Sequence, residues 1–193
     1  VIFDEAGQMP IPLAMIGISA AGKAIFVGDH QQMPPIIAAK HSQEWVTKSI
    51  FEILFSHAPS TMLNTTYRMN EVINRFPSKY FYNNQLITAP DTTNCCLELK
   101  SCPKQYSEIL DPEQPDVYVK VNHNDCKMRS PEEAEIAAGI VIEAIACGIP
   151  ANEIAIVTPY RAQSHLIRKR LQSLLSKNLF AYNQIVIDTV ERI

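Results

Sequence analysis

The sequence predicts an α/β fold in which helices flank parallel sheets, and two observations support this prediction. Residues 1–5 and 24–28 are short apolar runs closed by acidic residues or glycine, and an apolar stretch at residues 11–20 is long enough for a crossover helix. A strand, a helix and a second strand in this order imply parallel pairing. The alternation returns near the end of the chain, where the short apolar runs 154–157 and 185–187 lie on either side of a helical repeat.

The bulk composition indicates a soluble protein with a sizeable core. The chain has 193 residues, of which 47% are hydrophobic, and this is enough for one or two domains. No apolar run approaches the roughly 20 residues that span a bilayer, and no basic lead-in marks a signal peptide. We therefore expect an intracellular location, cytoplasmic or nuclear, with no membrane partner. The net charge of −3 gives no global basic field, so any nucleic-acid groove must be local.

The cysteines leave a metal site open in principle but do not favour one. Cys95, Cys96, Cys102 and Cys126 lie in one polar stretch, whereas common zinc sites separate paired cysteines by at least two residues. Because two of the four are adjacent, we expect reduced thiols that bind no metal, as in a cytosolic redox setting.

The first domain is predicted to end near residue 60. Residues 44–57 carry a broad apolar face and predict a helix after the second strand. Pro59 then removes a backbone donor and biases Ala58 away from helix. We therefore expect one domain at residues 1–60 and another at residues 61–193.

Helical and strand patterns also divide the second domain. Apolar residues at helical spacing predict a helix over residues 72–81 that Pro77 interrupts, whereas residues 85–114 are expected to be irregular. Residues 117–121 alternate as a strand does.

Two helix start signals follow in this domain. Ser130, Pro131 and Glu133 form the pattern of a capping box, and the helix that they start is predicted to run to Gly148. Thr158, followed by proline, repeats the start signal before a stretch lined by leucines.

An acidic pair, Asp4-Glu5, follows the first predicted strand. An isolated pair of this kind usually ends a strand at the surface. In P-loop proteins that hydrolyse nucleotides, an Asp at this point helps to hold Mg²⁺ at the phosphates. The adjacent Glu5 would then polarise the attacking water, and Gln8 is near enough to sense the γ-phosphate.

A second motif, Gly28-Asp29-x-x-Gln32-x-Pro34-Pro35, follows the second predicted strand. Residues of these types make turns whatever the function. This motif follows the acidic pair at the spacing of one βαβ unit, which favours a joint role. Residues 17–23 match the glycine and lysine spacing of a phosphate loop. They follow a helix and enter a strand, however, so we interpret them as a turn.

Arginine and aromatic residues supply two further candidates. Arg68 after Tyr67 is either a solvated side chain beside a half-buried ring or a guanidinium that stabilises transition-state charge. Basic residues from Arg161 onward are typical of the solvent-exposed face of an amphipathic helix. The strand-to-helix corner at residues 158–160 also presents backbone N–H groups and a hydroxyl, which suit one phosphate of a nucleic acid.

Five motif segments resemble those of superfamily 1B helicases, in the same order and over nearly the whole chain. The similarity is to the helicases of nonsense-mediated decay and of replication maturation, which move 5′ to 3′. The segments are residues 1–8 (VIFDEAGQ), 28–35 (GDHQQMPP), 67–70 (YRMN), 156–163 (IVTPYRAQ) and 187–193 (IDTVERI).

The resemblance implies a RecA-like P-loop NTPase fold, with part of the first RecA-like domain, most of the second, and ATP bound between them. It implies that Asp4 organises Mg²⁺, that Glu5 is the general base and that Tyr67 stacks on the adenine. The implied catalytic residues are Asp4, Glu5, Gln8, Gln32 and Arg68, the cofactor-binding residues are Gly28, Asp29 and Tyr67, and the residues that touch the single strand are Thr158, Pro159, Tyr160 and Arg161.

We therefore expect a monomeric ATP-dependent helicase that uses ATP and Mg²⁺ and moves on single-stranded DNA or RNA. Two alternatives stay open, a catalytically inactive scaffold with a helicase fold and an ATPase that acts on protein partners. No Gly-Lys-Thr phosphate loop precedes Val1, and the Gln-Gly-x-Glu motif expected after Ile193 is absent. We thus expect a fragment that neither hydrolyses ATP nor unwinds nucleic acid alone.

Overall fold

Three pairs of short parallel strands, with helices packed beside them, occur in the part of the chain that the structure describes. The structure is a computed structural model, and it describes residues 1–37, 41–124, 126–190 and 192. Parallel strands connected through helices confirm the predicted α/β class.

The first unit, Val1–Asn64, begins with the strand, helix and strand that the sequence predicts. Its two strands pair in parallel with Phe3 opposite Phe26, and the two rings stack with centroids 4.9 Å apart. Phe3 and Ala14 are buried in one apolar cluster, so the first helix packs on the strand pair. The elements are β1 (Ile2–Phe3), α1 (Ile11–Ser19), β2 (Ile25–Phe26) and α2 (Ile50–Phe55), with 3₁₀ helices at Ala6–Gln8 and Glu44–Thr47.

The single helix predicted over residues 44–57 is wrong, because the structure divides this stretch. Ser49 is extended, with φ −75° and ψ 155°, and its side chain accepts a hydrogen bond from the backbone N–H of Glu52. This is N-cap geometry, which starts α2 afresh at Ile50. The backbone N–H of Ile50 also donates to the carbonyl of Met9 at 3.1 Å, so a tertiary contact fixes the break.

The second unit, Thr65–Ile193, holds two more parallel strand pairs, each connected through helices. The helix predicted before residue 81 continues through Pro77. The helix predicted after Ser130 ends at Ala146, and Gly148 follows with φ +100° as a C′ glycine. The elements are β3 (Thr65–Thr66), α3 (Glu71–Phe81), β4 (Ile87–Thr88), α4 (Pro131–Ala146), β5 (Ala155–Thr158), α5 (Arg161–Leu174), α6 (Leu179–Gln184) and β6 (Val186–Thr189), with 3₁₀ helices at Pro90–Thr92 and Ala151–Glu153.

The main core of the second unit lies between α4, α5 and the pair formed by β5 and β6. Leu171 of α5 and Ala138 of α4 are fully buried, and Ile187 of β6 belongs to the same cluster. The leucine-lined face predicted for α5 therefore packs on α4 and the strands. This packing holds the strand end that carries residues 158–161.

The structure corrects several predictions for the second unit. Residues 117–121 form no strand, because within the described chain they have no neighbouring strand, and Tyr118 is 90% exposed. The stretch 85–114, predicted to be irregular, contributes β4. The helix predicted to start at Thr158 begins at Arg161, and α6 carried no recognised signal.

The end of the chain contains the predicted final strand, β6. Glu191 and Ile193, which complete the fifth motif segment, lie outside the described residues. Across the described ranges, no helix combines the length and the apolar character needed to cross a membrane.

Candidate functional site

Two exposed carboxylates follow β1. Asp4 and Glu5 come directly after Phe3, and Asp4 Oδ1 accepts a hydrogen bond from the backbone N–H of Glu5 at 2.9 Å. Glu5 has φ 51° and ψ 36°, a left-handed conformation that is uncommon for residues other than glycine. Such conformations cluster at binding and catalytic loops, where surrounding contacts maintain them. The acidic pair thus lies in a defined turn at the carboxyl end of the strand.

Backbone contacts hold this turn against the loop after β2. The N–H of Ala6 donates to the carbonyl of Val27 at 2.9 Å, and Ala6 is fully buried. A Cβ atom on Gly7 would lie 2.3 Å from the carbonyl oxygen of Asp29, and one on Gly28 would lie 2.7 Å from the backbone nitrogen of Gly7. Only glycine permits this approach. The two motif segments therefore share one edge of the strand pair.

Asp29 organises the loop after β2. One of its carboxylate oxygens accepts the backbone N–H of Gln31 at 2.9 Å, and the other accepts the side-chain amide of Gln32 at 2.9 Å. Gln8, which ends the first 3₁₀ helix, is exposed, as is Gln32. Both predicted sensor amides are therefore accessible to a ligand at this edge.

The acidic turn fits a magnesium ion that is held mainly by water and phosphate oxygens. Among the described residues, no group of three or more His, Cys, Asp or Glu side chains is placed to hold a metal. Mg²⁺ commonly takes one or two protein carboxylates and completes its shell with waters and phosphates. Asp4 and Glu5 are exposed oxygen donors of this kind.

In the second unit, Tyr67 and Arg68 connect β3 to α3. Tyr67 is 73% exposed, and Arg68 is also exposed. The backbone N–H of Arg68 donates to Thr66 Oγ1 at 3.3 Å, and Asn70 caps α3 by accepting the N–H of Ile73 at 2.9 Å. The segment is therefore fixed at both ends while its two side chains stay accessible.

The other candidate of this unit is the corner between β5 and α5. Thr158 is 3% exposed, and its hydroxyl donates to the carbonyl of Tyr160 at 3.1 Å. This hydroxyl donates within the protein, whereas the sequence predicts that it contacts a phosphate. Pro159, Tyr160 and Arg161 are exposed, so the accessible part of the corner begins after Thr158.

Gln163, which has no predicted role, fixes this corner to the start of α4. Its Oε1 accepts the backbone N–H of Ser130 at 2.8 Å, its Nε2 donates to the carbonyl of Ser130 at 3.1 Å, and both residues are buried. We call this pair of hydrogen bonds the amide clamp. A polar residue on the buried face of an amphipathic helix is the sequence signal that could have indicated it.

The amide clamp also explains why the predicted capping box is only half formed. Ser130 Oγ accepts the N–H of Glu133 as predicted, but the N–H of Ser130 is bound by Gln163. The Glu133 carboxylate instead contacts His123 Nε2 at 2.8 Å.

The structure brings the candidates of the first unit together and leaves those of the second unit in two loops. Residues 4–8 and 28–32 lie at the shared edge of β1 and β2. Residues 67–68 follow β3, residues 158–161 run from the last residue of β5 to the first of α5, and the two strands belong to different pairs.

Acidic and glycine-containing loops at the carboxyl ends of parallel strands are typical of nucleotide-binding α/β proteins. Two sequence profiles, each described as an AAA domain, match this chain, one over residues 46–193 and the other over residues 1–40. Because the first profile alone covers more than half of the chain, the protein belongs to the AAA domain family, and its motifs and relatives place it among the superfamily 1 helicases. The predicted resemblance is confirmed.

Curated relatives extend well beyond this chain. An uncharacterized ATP-dependent helicase of Methanocaldococcus jannaschii is 33% identical over 88% of the chain and 26% of its own length. The Schizosaccharomyces pombe DNA replication ATP-dependent helicase/nuclease dna2 is 26% identical over 99% of the chain and 15% of its own length. Regulator of nonsense transcripts 1 of Dictyostelium discoideum is 27% identical, with the same two coverages of 99% and 15%. The chain spans about a quarter or less of these relatives.

Proposed function

We propose that this chain supplies the magnesium- and water-handling edge of an ATP-dependent helicase, together with most of its second RecA-like domain. The complete protein would couple ATP hydrolysis to 5′ to 3′ movement along single-stranded DNA or RNA. The observation that carries this proposal is the backbone contact between the loops after β1 and β2, which sets the acidic turn against the Gly28-Asp29 turn. Relatives named as ATP-dependent helicases support the same function.

In this proposal the first unit handles the terminal phosphate. Asp4 would hold Mg²⁺, which when bound neutralises charge on the β- and γ-phosphates. Glu5 would accept a proton from the attacking water, a role that needs an accessible carboxylate. Gln8 and Gln32 are exposed amides at the same edge, and they would report whether a γ-phosphate is present.

The second unit would supply an aromatic contact, a cation and a track for the strand. Tyr67 would stack on the adenine and the Arg68 guanidinium would reach the γ-phosphate, because both side chains are exposed on one fixed segment. Residues 159–161 would contact the single strand. Thr158 would shape that corner through its hydrogen bond to the carbonyl of Tyr160.

Replacing Glu5 tests the catalytic assignment directly. In the complete protein, Glu5→Gln is expected to lower the kcat of ATP hydrolysis by roughly 10²- to 10⁴-fold, because the amide cannot accept the proton of the attacking water. Binding of ATP and of single strands should be retained. The matched control is Glu98→Gln, which neutralises an exposed carboxylate of the second unit and should leave turnover unchanged.

ATPase rates measured side by side with single-stranded DNA, single-stranded RNA and no nucleic acid separate the competing functions. Turnover that either strand stimulates, and that Glu5→Gln removes, supports the helicase. Strand binding without turnover in the wild type would identify an inactive scaffold. Turnover that ignores both strands would identify an ATPase that acts on other partners.

A further inference from the structure

We infer that the segment 127–129 extends the nucleic-acid track of the second unit beyond Arg161, with Lys127 and Arg129 each contacting a backbone phosphate of a single strand. The inference rests on the proposed function, because it needs a strand at the corner between β5 and α5. It adds a site that lies outside all five motif segments.

An open groove joins this segment to the start of α5. The groove has a volume of about 490 Å³ and is lined by Lys127, Met128, Arg129 and Ala162. Ala162 follows Arg161 directly, so the two basic side chains of the segment share a groove with the first turn of α5. Arg161, the exposed neighbour of Ala162 in the chain, supplies a third cation next to a groove residue.

The amide clamp explains why this groove has a fixed geometry. Ser130 follows Arg129 directly, and both backbone polar groups of Ser130 are bound by the buried side chain of Gln163. Gln163 lies in the first turn of α5, one residue after the groove residue Ala162. The clamp thus ties the basic segment to the corner that carries Arg161, as preorganised binding requires.

The cations of the groove are available for an external anion. Among the residues that the structure describes, Lys127, Arg129 and Arg161 form no ion pair. The two carboxylates that follow the segment already have partners, since Glu132 accepts from the Ser130 hydroxyl at 3.0 Å and Glu133 contacts His123 at 2.8 Å. Neither carboxylate is therefore paired with Lys127 or Arg129.

The side chains between the cations favour a single strand over an acidic peptide. Met128, a groove residue between Lys127 and Arg129, is 59% exposed, and Tyr160, which precedes Arg161 in the chain, is 49% exposed. Surfaces that bind single strands combine cations along the backbone with faces on which bases stack. An acidic peptide would use the cations but would leave the exposed ring and thioether without partners.

The test is the salt dependence of oligonucleotide binding by the complete protein. Binding of labelled single-stranded DNA and RNA is measured from 50 to 300 mM salt, without nucleotide, for the wild type, Lys127→Ala, Arg129→Ala and Arg161→Ala. Each phosphate contact contributes about 0.7 to the slope of log K against log salt for single strands. Each segment variant should therefore flatten the slope by about 0.7 and weaken binding about fivefold near 0.1 M salt.

Lys177→Ala is the matched control, because it removes the same charge from an exposed lysine beyond the far end of α5. The 14 residues of α5 place it roughly 20 Å from Arg161 at 1.5 Å per residue. It should keep the wild-type slope. Unlabelled poly-glutamate serves as a competitor, and it should displace the oligonucleotide only weakly.

Three outcomes overturn the inference. If the segment variants keep the wild-type slope while Arg161→Ala flattens it, the track ends at the corner and only this inference fails. If no variant changes the slope, or the wild type binds neither strand, the proposed nucleic-acid function of the corner fails as well. If poly-glutamate displaces the strand as well as unlabelled oligonucleotide does, the groove is a site for acidic peptides.

Discussion

The contact between Gly7 and the Gly28-Asp29 turn is possible only because glycine has no side chain. A Cβ atom on Gly7 would meet the backbone oxygen of Asp29 at 2.3 Å, whereas a Cβ atom on Gly22 would meet nothing within 4 Å. Because the obstructing atom belongs to the backbone, no change of side-chain rotamer relieves the clash. The relative position of the acidic turn and the Asp29 loop is therefore sensitive to a single methyl group.

Gly7→Ala is expected to separate these two loops and to lower the kcat of ATP hydrolysis by roughly tenfold to hundredfold in the complete protein, since displacements near 1 Å have costs of this size. Overpacking should also lower the free energy of unfolding by about 1–3 kcal/mol. Gly22→Ala is the control and should change neither quantity appreciably. ATPase assays and urea unfolding of both variants check the prediction. Wild-type turnover in Gly7→Ala would show that catalysis does not need the close approach.

The positions and conformations of individual site residues can be predicted only in part from the sequence. An apolar run that ends in Asp4-Glu5 predicts exposed carboxylates at a strand end, and the structure has them there. The left-handed backbone of Glu5 is not predictable, because it is maintained by tertiary contacts of the residues that follow. The amide clamp is equally unpredictable, because Gln163 binds Ser130 across 33 residues and this contact produces no local pattern in the sequence.

At the scale of elements, the helix α4, which has a local start signal and a local stop signal, is predicted well. Ser130 and Gly148 bound α4 as expected, because capping and positive φ depend on the residues at the helix ends themselves. Elements that depend on partners distant in the sequence are predicted poorly. The alternation at residues 117–121 indicates a strand but supplies no partner for one, and the division of residues 44–57 depends on the contact between Ile50 and Met9.

Glu143 connects α4 to a loop that has no regular secondary structure of its own. Its carboxylate accepts the backbone N–H groups of Lys104, Gln105 and Tyr106, the last at 2.7 Å. These hydrogen bonds, with that from Lys104 the strongest influence, hold the pKa of Glu143 below its ordinary value. A carboxylate of α4 thus fixes residues 104–106 by binding their donors.

The pH dependence of stability tests this attachment. A carboxyl group whose pKa is lower in the folded state stabilises the fold above its unfolded pKa, and this stabilisation is lost as the pH falls through the folded pKa. Glu143→Gln should therefore be less stable than the wild type at pH 7, and the difference should shrink as the pH falls below about 4. Urea unfolding from pH 7 to pH 3 measures this difference in the free energy of unfolding.

Glu153→Gln is the control for Glu143→Gln, because Glu153 is an exposed carboxylate of the same unit, whereas the backbone donors of residues 104–106 bind Glu143. It should leave unfolding close to that of the wild type at every pH. A stability difference for Glu143→Gln that stays constant down to pH 3 would show that shape rather than charge holds the loop.

At the scale of the whole molecule, the candidate nucleotide groups are divided between the two units. The first unit carries the carboxylates and amides that are proposed to handle a metal and a water, and the second carries the exposed ring of Tyr67 and the guanidinium of Arg68. Neither set alone completes a phosphoryl-transfer site, because such a site needs both metal ligands and a cation on the transferred group. The proposed mechanism therefore requires a contribution from each unit.

Arg68→Lys tests this requirement, because lysine keeps the charge and loses the planar fork of donors. Arginines that stabilise the transition state of phosphoryl transfer contribute roughly 10³- to 10⁵-fold to kcat. We expect Arg68→Lys to lower the kcat of the complete protein by about 10²-fold or more while the affinity for ATP changes little, since the fork acts on charge that develops during transfer.

Arg75→Lys, at an exposed arginine of α3, is the control and should keep wild-type kinetics. Nucleotide binding measured by calorimetry beside steady-state ATPase rates separates the two effects. A parallel loss of binding and turnover would mean that Arg68 acts on the bound nucleotide before transfer, and an unchanged kcat would exclude it from the site.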